Sequence, residues 1–212
     1  MSATRQEFAG EVILSDDRTH GVEASISDFT GLNSDAAAAR LDDLSRAERI
    51  AVLFDVDPFD YQRDLIEHVD EVETPKVAIQ PGRQVGKTLI GAALAADEVA
   101  TTPDEDVLIA APFQETADEM MREATQLLET AAERLDAMGL TLGVETKNKR
   151  EWEFAHGGRL LSRTLGVDGV GQRGKNPRFV IVDEAAFAPD AVFEDVIEPF
   201  FTTHDTFTFV LT

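Results

Sequence analysis

Apolar residues follow two patterns along this chain, which predict helices alternating with buried strands. Between residues 114 and 138 they return every three or four positions, as on the buried face of a long helix that Gly139 ends. Residues 106–111 and 178–183 instead form short continuous apolar runs, which are typical of strands covered on both faces. Strands separated by helices predict an α/β fold, a mainly parallel sheet with helices on both faces.

Capping and turn residues indicate the remaining elements. Helices are predicted over residues 36–44, over 46–54, for about twelve residues after Pro58, and over 87–99. Ser34 could cap the first of these, and Ser45 with Glu48 forms a capping box for the second. A hairpin is predicted over residues 150–165. Polar and apolar side chains alternate over residues 150–154, Gly157 and Gly158 form a turn, and residues 159–165 are extended. A weak helix over 192–198 and a last strand over 206–211 follow.

Composition limits the classes of protein to consider. The 212 residues are 43% apolar, enough for one large domain, which we expect over residues 55–212. An acidic N-terminal arm with short helices is expected over residues 1–54. The sequence has no run of 18 apolar residues and no apolar leader, so neither a membrane span nor secretion is expected. It has no cysteine, and its four histidines are scattered, which argues against disulfides, thiolate chemistry and a metal cluster.

The charge balance is strongly acidic. There are 41 Asp and Glu residues against 19 Lys and Arg, a formal net charge of −22. Such a chain repels itself in dilute salt, and repels DNA. Its composition resembles that of proteins from extreme halophiles, in which high salt screens the repulsion. An acidic interaction surface or a partly disordered tail is the alternative, but the acids are spread along the whole chain, which favours halophily.

A glycine-containing loop between a strand and a helix is the first candidate site. Residues 77–88 read VAIQPGRQVGKT, and the order strand, tight loop, helix is typical of a loop that binds phosphates. Backbone N–H groups would face the phosphates, Lys87 would reach the outer ones, and the Thr88 hydroxyl would bind Mg²⁺. Pro81 stands where the usual pattern has its first glycine, so an ordinary surface turn is the alternative.

Two carboxylates at the end of a predicted buried strand form the second candidate site. Asp183 suits Mg²⁺ or a water bound to it, and Glu184 suits the polarisation of a water that attacks the γ-phosphate. Alone, such a strand could simply meet a loop, but the phosphate loop upstream favours nucleotide hydrolysis. Gln62, upstream of that loop, could both donate to and accept from an adenine edge. A glutamine at a polar helix start is more often only solvated.

The cationic region of this acidic sequence lies between Lys147 and Arg178, where eight basic residues stand against three acidic ones. We expect it to contact the phosphate backbone of DNA. The candidate contact residues are Lys147, Lys149, Arg150, Arg173 and Lys175. A solvated hairpin face is the alternative, and Arg173 with Gly174 could also act near the nucleotide.

Taken together, these residues resemble a known family. The resemblance is carried in order by DYQRD at 60–64, RQVGKT at 83–88, the strand at 106–112 and VIVDEAAF at 180–187. They are similar to the motifs of the large terminase subunits of tailed viruses, the ATPases that pump DNA into a procapsid. The similarity covers roughly residues 55–212 and leaves residues 1–50 unmatched. It implies a RecA-like P-loop ATPase, and in that family the loop often lacks its first glycine.

The resemblance implies how ATP would be bound. Gln62 is similar to the family's adenine-contacting glutamine, and Arg83 to a loop arginine proposed to act in cis on the γ-phosphate. The implied ATP-binding residues are Gln62, Arg83, Gln84, Val85, Gly86, Lys87 and Thr88. Thr88 and Asp183 would hold Mg²⁺. The implied catalytic residues are Glu184, Arg83 and Lys87.

The resemblance also implies partners and a place of action. These are double-stranded DNA, the portal protein of the procapsid, the small terminase subunit, and further copies in a homo-oligomeric ring on the capsid, in the cytoplasm of the infected cell. The family's coupling motif would begin about Thr212 and a nuclease domain would follow, so we expect a chain truncated before both. The acidic composition adds the expectation of a halophilic archaeal host. The alternatives are a superfamily 2 helicase-like DNA translocase and an ATP-binding fragment that does not hydrolyse ATP.

Overall fold

The computed structural model describes residues 24–71, 76–79, 86–165, 177–188 and 207–211. Within these ranges the α-helices are α1 Ser34–Asp42, α2 Arg46–Phe54, α3 Asp60–Glu71, α4 Lys87–Thr101 and α5 Gln114–Ala137. The strands are β1 Lys76–Ile79, β2 Asp106–Ala111, β3 Val144–Asn148, β4 Glu151–Phe154, β5 Arg159–Thr164, β6 Phe179–Val182 and β7 Phe207–Leu211. Of the described helices, none has the length and apolar character needed to cross a bilayer.

The strands form one seven-stranded sheet in the order β1-β7-β6-β2-β5-β4-β3. The first five strands in this order are parallel to one another: β1, β7, β6, β2 and β5. β4 pairs antiparallel with both β5 and β3. The predicted α/β class with a mainly parallel sheet is therefore confirmed. The predicted hairpin consists of β4 and β5, and β5 joins it to the parallel part because its other edge pairs with β2.

Local sequence signals locate several element boundaries. Ser45 and Glu48 form the predicted capping box of α2, with the Ser45 hydroxyl accepting from the Glu48 amide at 3.3 Å. The prediction that Ser34 caps α1 is wrong. Asn33 is the cap, because its side chain accepts from the Ala36 amide at 2.9 Å and Ser34 is already helical. β3 is an additional strand, whose largely exposed residues give no apolar pattern. The weak helix predicted over 192–198 lies outside the described residues.

The described α-helices all pack against one face of the sheet. Their buried side chains share a main core with alternate strand residues, Val107, Ile109, Leu160, Phe179 and Ile181. The intervening strand residues belong to a second, smaller core: Leu108, Ala110, Leu161, Val180 and Val182. Successive residues of a strand point to opposite faces, so the two cores lie on opposite sides of the sheet. Helices were predicted on both faces, and the described helices cover one.

The described part of the expected N-terminal arm packs into the main core. Phe29, Leu41, Ile50 and Phe54 are buried and belong to the same cluster as the apolar faces of α4 and α5. From residue 24 onwards, these residues therefore contribute to the stability of the sheet domain. The boundary expected after residue 54 stays a prediction, because residues 1–23 lie outside the described ranges.

A charged cluster joins α2, α3 and α4 inside this core. Arg49 donates to the two carboxylate oxygens of Asp97 at 2.7 and 2.8 Å, and Arg46 lies 2.9 Å from the carboxylates of both Asp70 and Glu98. Asp97 is completely buried. Burial opposes the charge of Arg49, but the hydrogen bonds and charge of Asp97 outweigh it and raise the pKa of Arg49. The cluster ties together two helices, α3 and α4, that also lead to the candidate site.

Candidate functional site

The candidate site lies at the edge of the sheet where the parallel strands end. β1 ends there, α4 begins there with Lys87 and Thr88, and β6 leads there into Asp183 and Glu184. β7 lies between β1 and β6 in the sheet. This edge is where open α/β sheets bind ligands. Arg83, Gln84 and Val85, which were predicted to contact ATP, lie outside the described residues.

Gly86 connects the loop to α4 and lies against Gln62. Its φ of 73° is a left-handed conformation that glycine adopts freely, and it is the N-cap of α4. The N–H groups at the start of an α-helix have no carbonyl partner within the helix and form the positive end of its dipole, which favours an anion at this point. Gln62 is buried here, and a methyl group on Gly86 would lie 2.8 Å from its Nε2. The Oε1 of Gln62 accepts from the Phe59 amide at 2.9 Å, which fixes the side-chain amide beside the loop.

Asp183 is a buried carboxylate, 4% exposed, that follows β6. Its backbone N–H donates to the Ala110 carbonyl at 2.9 Å, and its side chain accepts from the Glu184 amide at 2.8 Å. Burial raises the pKa of Asp183, and the charges of Glu184 and Glu119 act in the same direction. The Glu184 amide and the Lys87 ammonium lower it. The first residue of α4 therefore acts electrostatically on the carboxylate that follows β6.

Glu184 has a backbone conformation that is uncommon for a residue with a side chain. Its φ of 52° and ψ of 35° are left-handed, and it begins the short turn Ala185–Phe187. Its carboxylate accepts a hydrogen bond from the Thr116 hydroxyl on α5, at 3.1 Å. Sequence analysis missed Thr116. It lies 68 positions before Glu184, and no local motif marks it.

The oxygen donors at this edge suit a hard divalent cation such as Mg²⁺. The Asp183 carboxylate is desolvated and close to further negative charge, which a divalent cation would offset. Thr88 places a hydroxyl in the first turn of α4. No group of three or more His, Asp or Glu side chains that could hold a metal alone occurs in the described ranges. A cation at Asp183 would therefore need other oxygen ligands, such as phosphate or water.

The predicted DNA-contact residues of the β3–β4 hairpin are paired with carboxylates. Lys149 lies 2.7 Å from Asp118, and Arg150 donates to the two oxygens of Asp118 at 2.9 and 3.1 Å. Lys147 lies 3.2 Å from Glu129. Both acids belong to α5, the helix that precedes β3, and lie 18 to 32 positions before the basic residues that they contact.

Other basic residues of the same region are paired as well. Arg159 donates to Asp106, Arg163 lies 3.0 Å from Glu151, and Arg178 lies 3.9 Å from Glu105. The surplus of positive charge counted along the sequence is thus reduced in the fold by acids from other elements. Arg173 and Lys175 lie outside the described residues. A DNA contact by this region stays a prediction.

Comparison with known proteins relates this fold to viral packaging enzymes. A family model described as terminase large subunit, T4likevirus-type, N-terminal, matches residues 79–212. The large terminase ATPase domain of Thermus phage P74-26, in a variant with arginine replaced by alanine, is 22% identical, with a TM-score of 0.65. The same domain without that change is 21% identical, with a TM-score of 0.63. Each of these matches covers 80% of this chain and 70% of the other.

A more distant structure supports the same relationship. The large terminase of HK97 bacteriophage is 14% identical with a TM-score of 0.61, over 80% of this chain and 38% of that one. At these identities, the similarity to solved structures shows the fold. No curated protein matches the chain. The family model, by contrast, covers well over half of the sequence, from the end of β1 onwards. The chain therefore belongs to the terminase large subunit family, in its T4likevirus-type N-terminal region.

Proposed function

We propose that this chain binds and hydrolyses ATP with Mg²⁺, and that hydrolysis powers the movement of double-stranded viral DNA into a procapsid. The observation that carries the proposal is the meeting of two elements at one edge of the sheet. Lys87 and Thr88 open α4, and Asp183 and Glu184 follow β6. The Lys87 ammonium lowers the pKa of Asp183, which supports the assignment of both elements to one ligand site.

The chain's own residues divide the work of binding. The N–H groups at the start of α4, with Gln84, Val85 and Gly86 before it, hold the phosphates. Lys87 neutralises the outer phosphates, and Gln62 recognises the adenine edge from its place beside Gly86.

Hydrolysis depends on residues on both sides of the site. Glu184 orients and deprotonates the attacking water, while Lys87 and Arg83 stabilise the charge that develops on the transferring phosphoryl group. Thr88 and Asp183 would hold Mg²⁺, which would supply positive charge against the phosphates. The buried position of Asp183 supports this role, because a desolvated carboxylate gains most from a nearby cation.

Membership of the terminase family supports the wider role. We place the chain in a homo-oligomeric ring on the capsid, acting with the portal protein and the small terminase subunit in the cytoplasm of the infected cell. Contact with DNA falls to the cationic region, with Lys147, Lys149, Arg150, Arg173 and Lys175 as candidates. The net charge of −22, with acids along the whole chain, supports a host that lives in high salt.

Phosphate release in molar KCl, with and without double-stranded DNA, tests the proposed reaction. Glu184→Gln should lower kcat roughly 100-fold or more and leave ATP binding intact. Lys87→Ala should weaken binding of a fluorescent ATP analogue. The matched control is Glu115→Gln, which removes an exposed carboxylate from the first turn of α5. Full activity of Glu184→Gln would rule out this mechanism. Nucleotide binding without turnover in the unsubstituted chain would instead indicate a non-hydrolysing ATP-binding protein.

A further inference from the structure

The first turn of α5 reaches across to the residue proposed as the catalytic base. The Thr116 hydroxyl donates to Oε2 of Glu184 at 3.1 Å. A hydrogen bond to one carboxylate oxygen fixes the rotation of the Glu side chain and leaves its other oxygen available. Thr116 is partly buried, so this bond is shielded from water on the side of the helix.

The backbone of Glu184 is already held by its neighbours. Its N–H donates to the Asp183 carboxylate at 2.8 Å, and its carbonyl accepts from the Phe187 amide at 2.9 Å. With the backbone held in a left-handed conformation, the freedom that remains to Glu184 is the rotation of its side chain. Thr116 restrains that remaining freedom.

The start of α5, which carries Thr116, is held in place by side-chain hydrogen bonds. Within the same two turns of α5, the side-chain amide of Gln114 donates to Asp118 at 2.6 Å, and Arg150 clamps Asp118 through two further hydrogen bonds. Glu119, in the next position, acts electrostatically on Asp183. The start of α5 is therefore anchored to the turn between β3 and β4, which restrains the position of Thr116.

We infer that Thr116 is a positioning residue for ATP hydrolysis, because it holds the Glu184 carboxylate in the orientation that activates the attacking water. The inference rests on the proposed function, since it assigns to Thr116 an effect on that same site. Geometry of this kind governs the chemical step, and misplacement of a catalytic group by about 1 Å can reduce the rate roughly 100-fold. The described side-chain hydrogen bond of Thr116 is to Glu184, which the proposal assigns to the attacking water and not to the phosphates, so nucleotide affinity should not depend on it.

The test compares four single variants and one double variant with the unsubstituted chain in molar KCl. Thr116→Val removes the donor and keeps the shape, and Thr116→Ser keeps the donor. Thr125→Val is the matched control, because the Thr125 hydroxyl bonds only to a backbone carbonyl within α5 among its described contacts. Glu184→Gln completes a double-mutant cycle. The measurements are kcat, KM for ATP, binding of a fluorescent ATP analogue, and the thermal midpoint.

The expected result is a roughly tenfold lower kcat for Thr116→Val, with KM and nucleotide binding unchanged. Thr116→Ser and Thr125→Val should behave like the unsubstituted chain. In the Glu184→Gln background, Thr116→Val should have no further effect on kcat. An unchanged or raised kcat for Thr116→Val, while Glu184→Gln remains slow, would overturn the inference and leave the proposed function standing. Equal inactivity of the unsubstituted chain and Glu184→Gln would instead overturn the proposed function, and this inference with it.

Discussion

Arg49 on α2 and Asp97 on α4 form a bidentate ion pair, in which two guanidinium nitrogens lie 2.7 and 2.8 Å from the two carboxylate oxygens. The carboxylate is completely buried. A buried charge that loses its partner retains the full penalty of desolvation. Arg46 lies 3.5 Å from the same carboxylate, but it is also engaged by Asp70 and Glu98. Arg49 is therefore the main compensation for Asp97.

We predict that Arg49→Met lowers the free energy of unfolding by about 3 kcal/mol. Urea denaturation in concentrated KCl, followed by circular dichroism, measures the change. Arg40→Met is the control, because Arg40 is an exposed residue of α1. The double variant Arg49→Met with Asp97→Leu should be less destabilised than Arg49→Met alone, since no unpaired charge remains. Equal stability of Arg49→Met and Arg40→Met would contradict the prediction.

Gly86 and Gly31 both have a left-handed backbone, with φ of 73° and 80°, but their surroundings differ. A methyl group on Gly86 would lie 2.8 Å from Gln62 Nε2, while one on Gly31 would meet nothing within 4 Å. Both alanine variants carry the backbone strain, of about 1 kcal/mol. We predict that Gly86→Ala is destabilised by roughly 1 kcal/mol more than Gly31→Ala, because the buried Gln62 amide has to move.

Chemical denaturation of the two glycine variants measures this difference, and binding of an ATP analogue should weaken only for Gly86→Ala. Adding Gln62→Ala to Gly86→Ala should recover part of the lost stability by making room for the methyl group. If the two glycine variants were equally stable, Gln62 would not be packed against the loop as described.

Asp118 connects α5 to Lys149 and Arg150 in the turn between β3 and β4. The ionisation of Asp118 should therefore make the stability of the chain depend on pH. The Arg150 guanidinium holds the pKa of Asp118 well below its usual range, against the effect of burial, and Lys149 and Gln114 add to the lowering. The folded pKa is thus below the unfolded value of 3.8. Asp118 therefore contributes its full stabilisation above that pH, and loses it progressively as the pH falls below it.

We predict that Asp118→Asn is less stable than the unsubstituted chain at neutral pH, and that the difference shrinks as the pH falls below the ordinary Asp pKa. Thermal midpoints recorded across the acidic range measure it. Asp136→Asn, an exposed position near the end of α5, is the control and should show no such dependence. A stability difference that stayed constant through the acidic range would show that Asp118 is not held by charge.

The elements that sequence analysis located correctly depend on neighbouring residues. The α2 capping box needs only Ser45 and Glu48, three positions apart, and β2 needs only its own apolar run between Pro103 and Pro112. The acidic pair after β6 and the Gly-Lys-Thr start of α4 were found for the same reason, because each is a short segment with its own pattern.

What sequence analysis missed depends on long-range contacts. The partner of Glu184 is Thr116, the partner of Asp97 is Arg49, and the charge of Arg150 is balanced by Asp118 on another element. Counting charge along residues 147–178 could not include acids that only folding brings near. The excess of positive charge was therefore overestimated, although the DNA contact itself stays untested.

The position of β7 in the sheet has a consequence for how the chain folds. Within the described sheet, β1 stands at the edge and pairs with β7, Lys76 opposite Thr208 and Ile79 opposite Leu211. During synthesis, the strand that leads into the proposed phosphate-binding loop therefore gains this neighbour only after the last described strand has left the ribosome. Pairings between such distant segments form slowly and leave strand edges open in the meantime. Shortening the chain before Phe207 would remove the support of the loop without changing any residue proposed to contact the nucleotide.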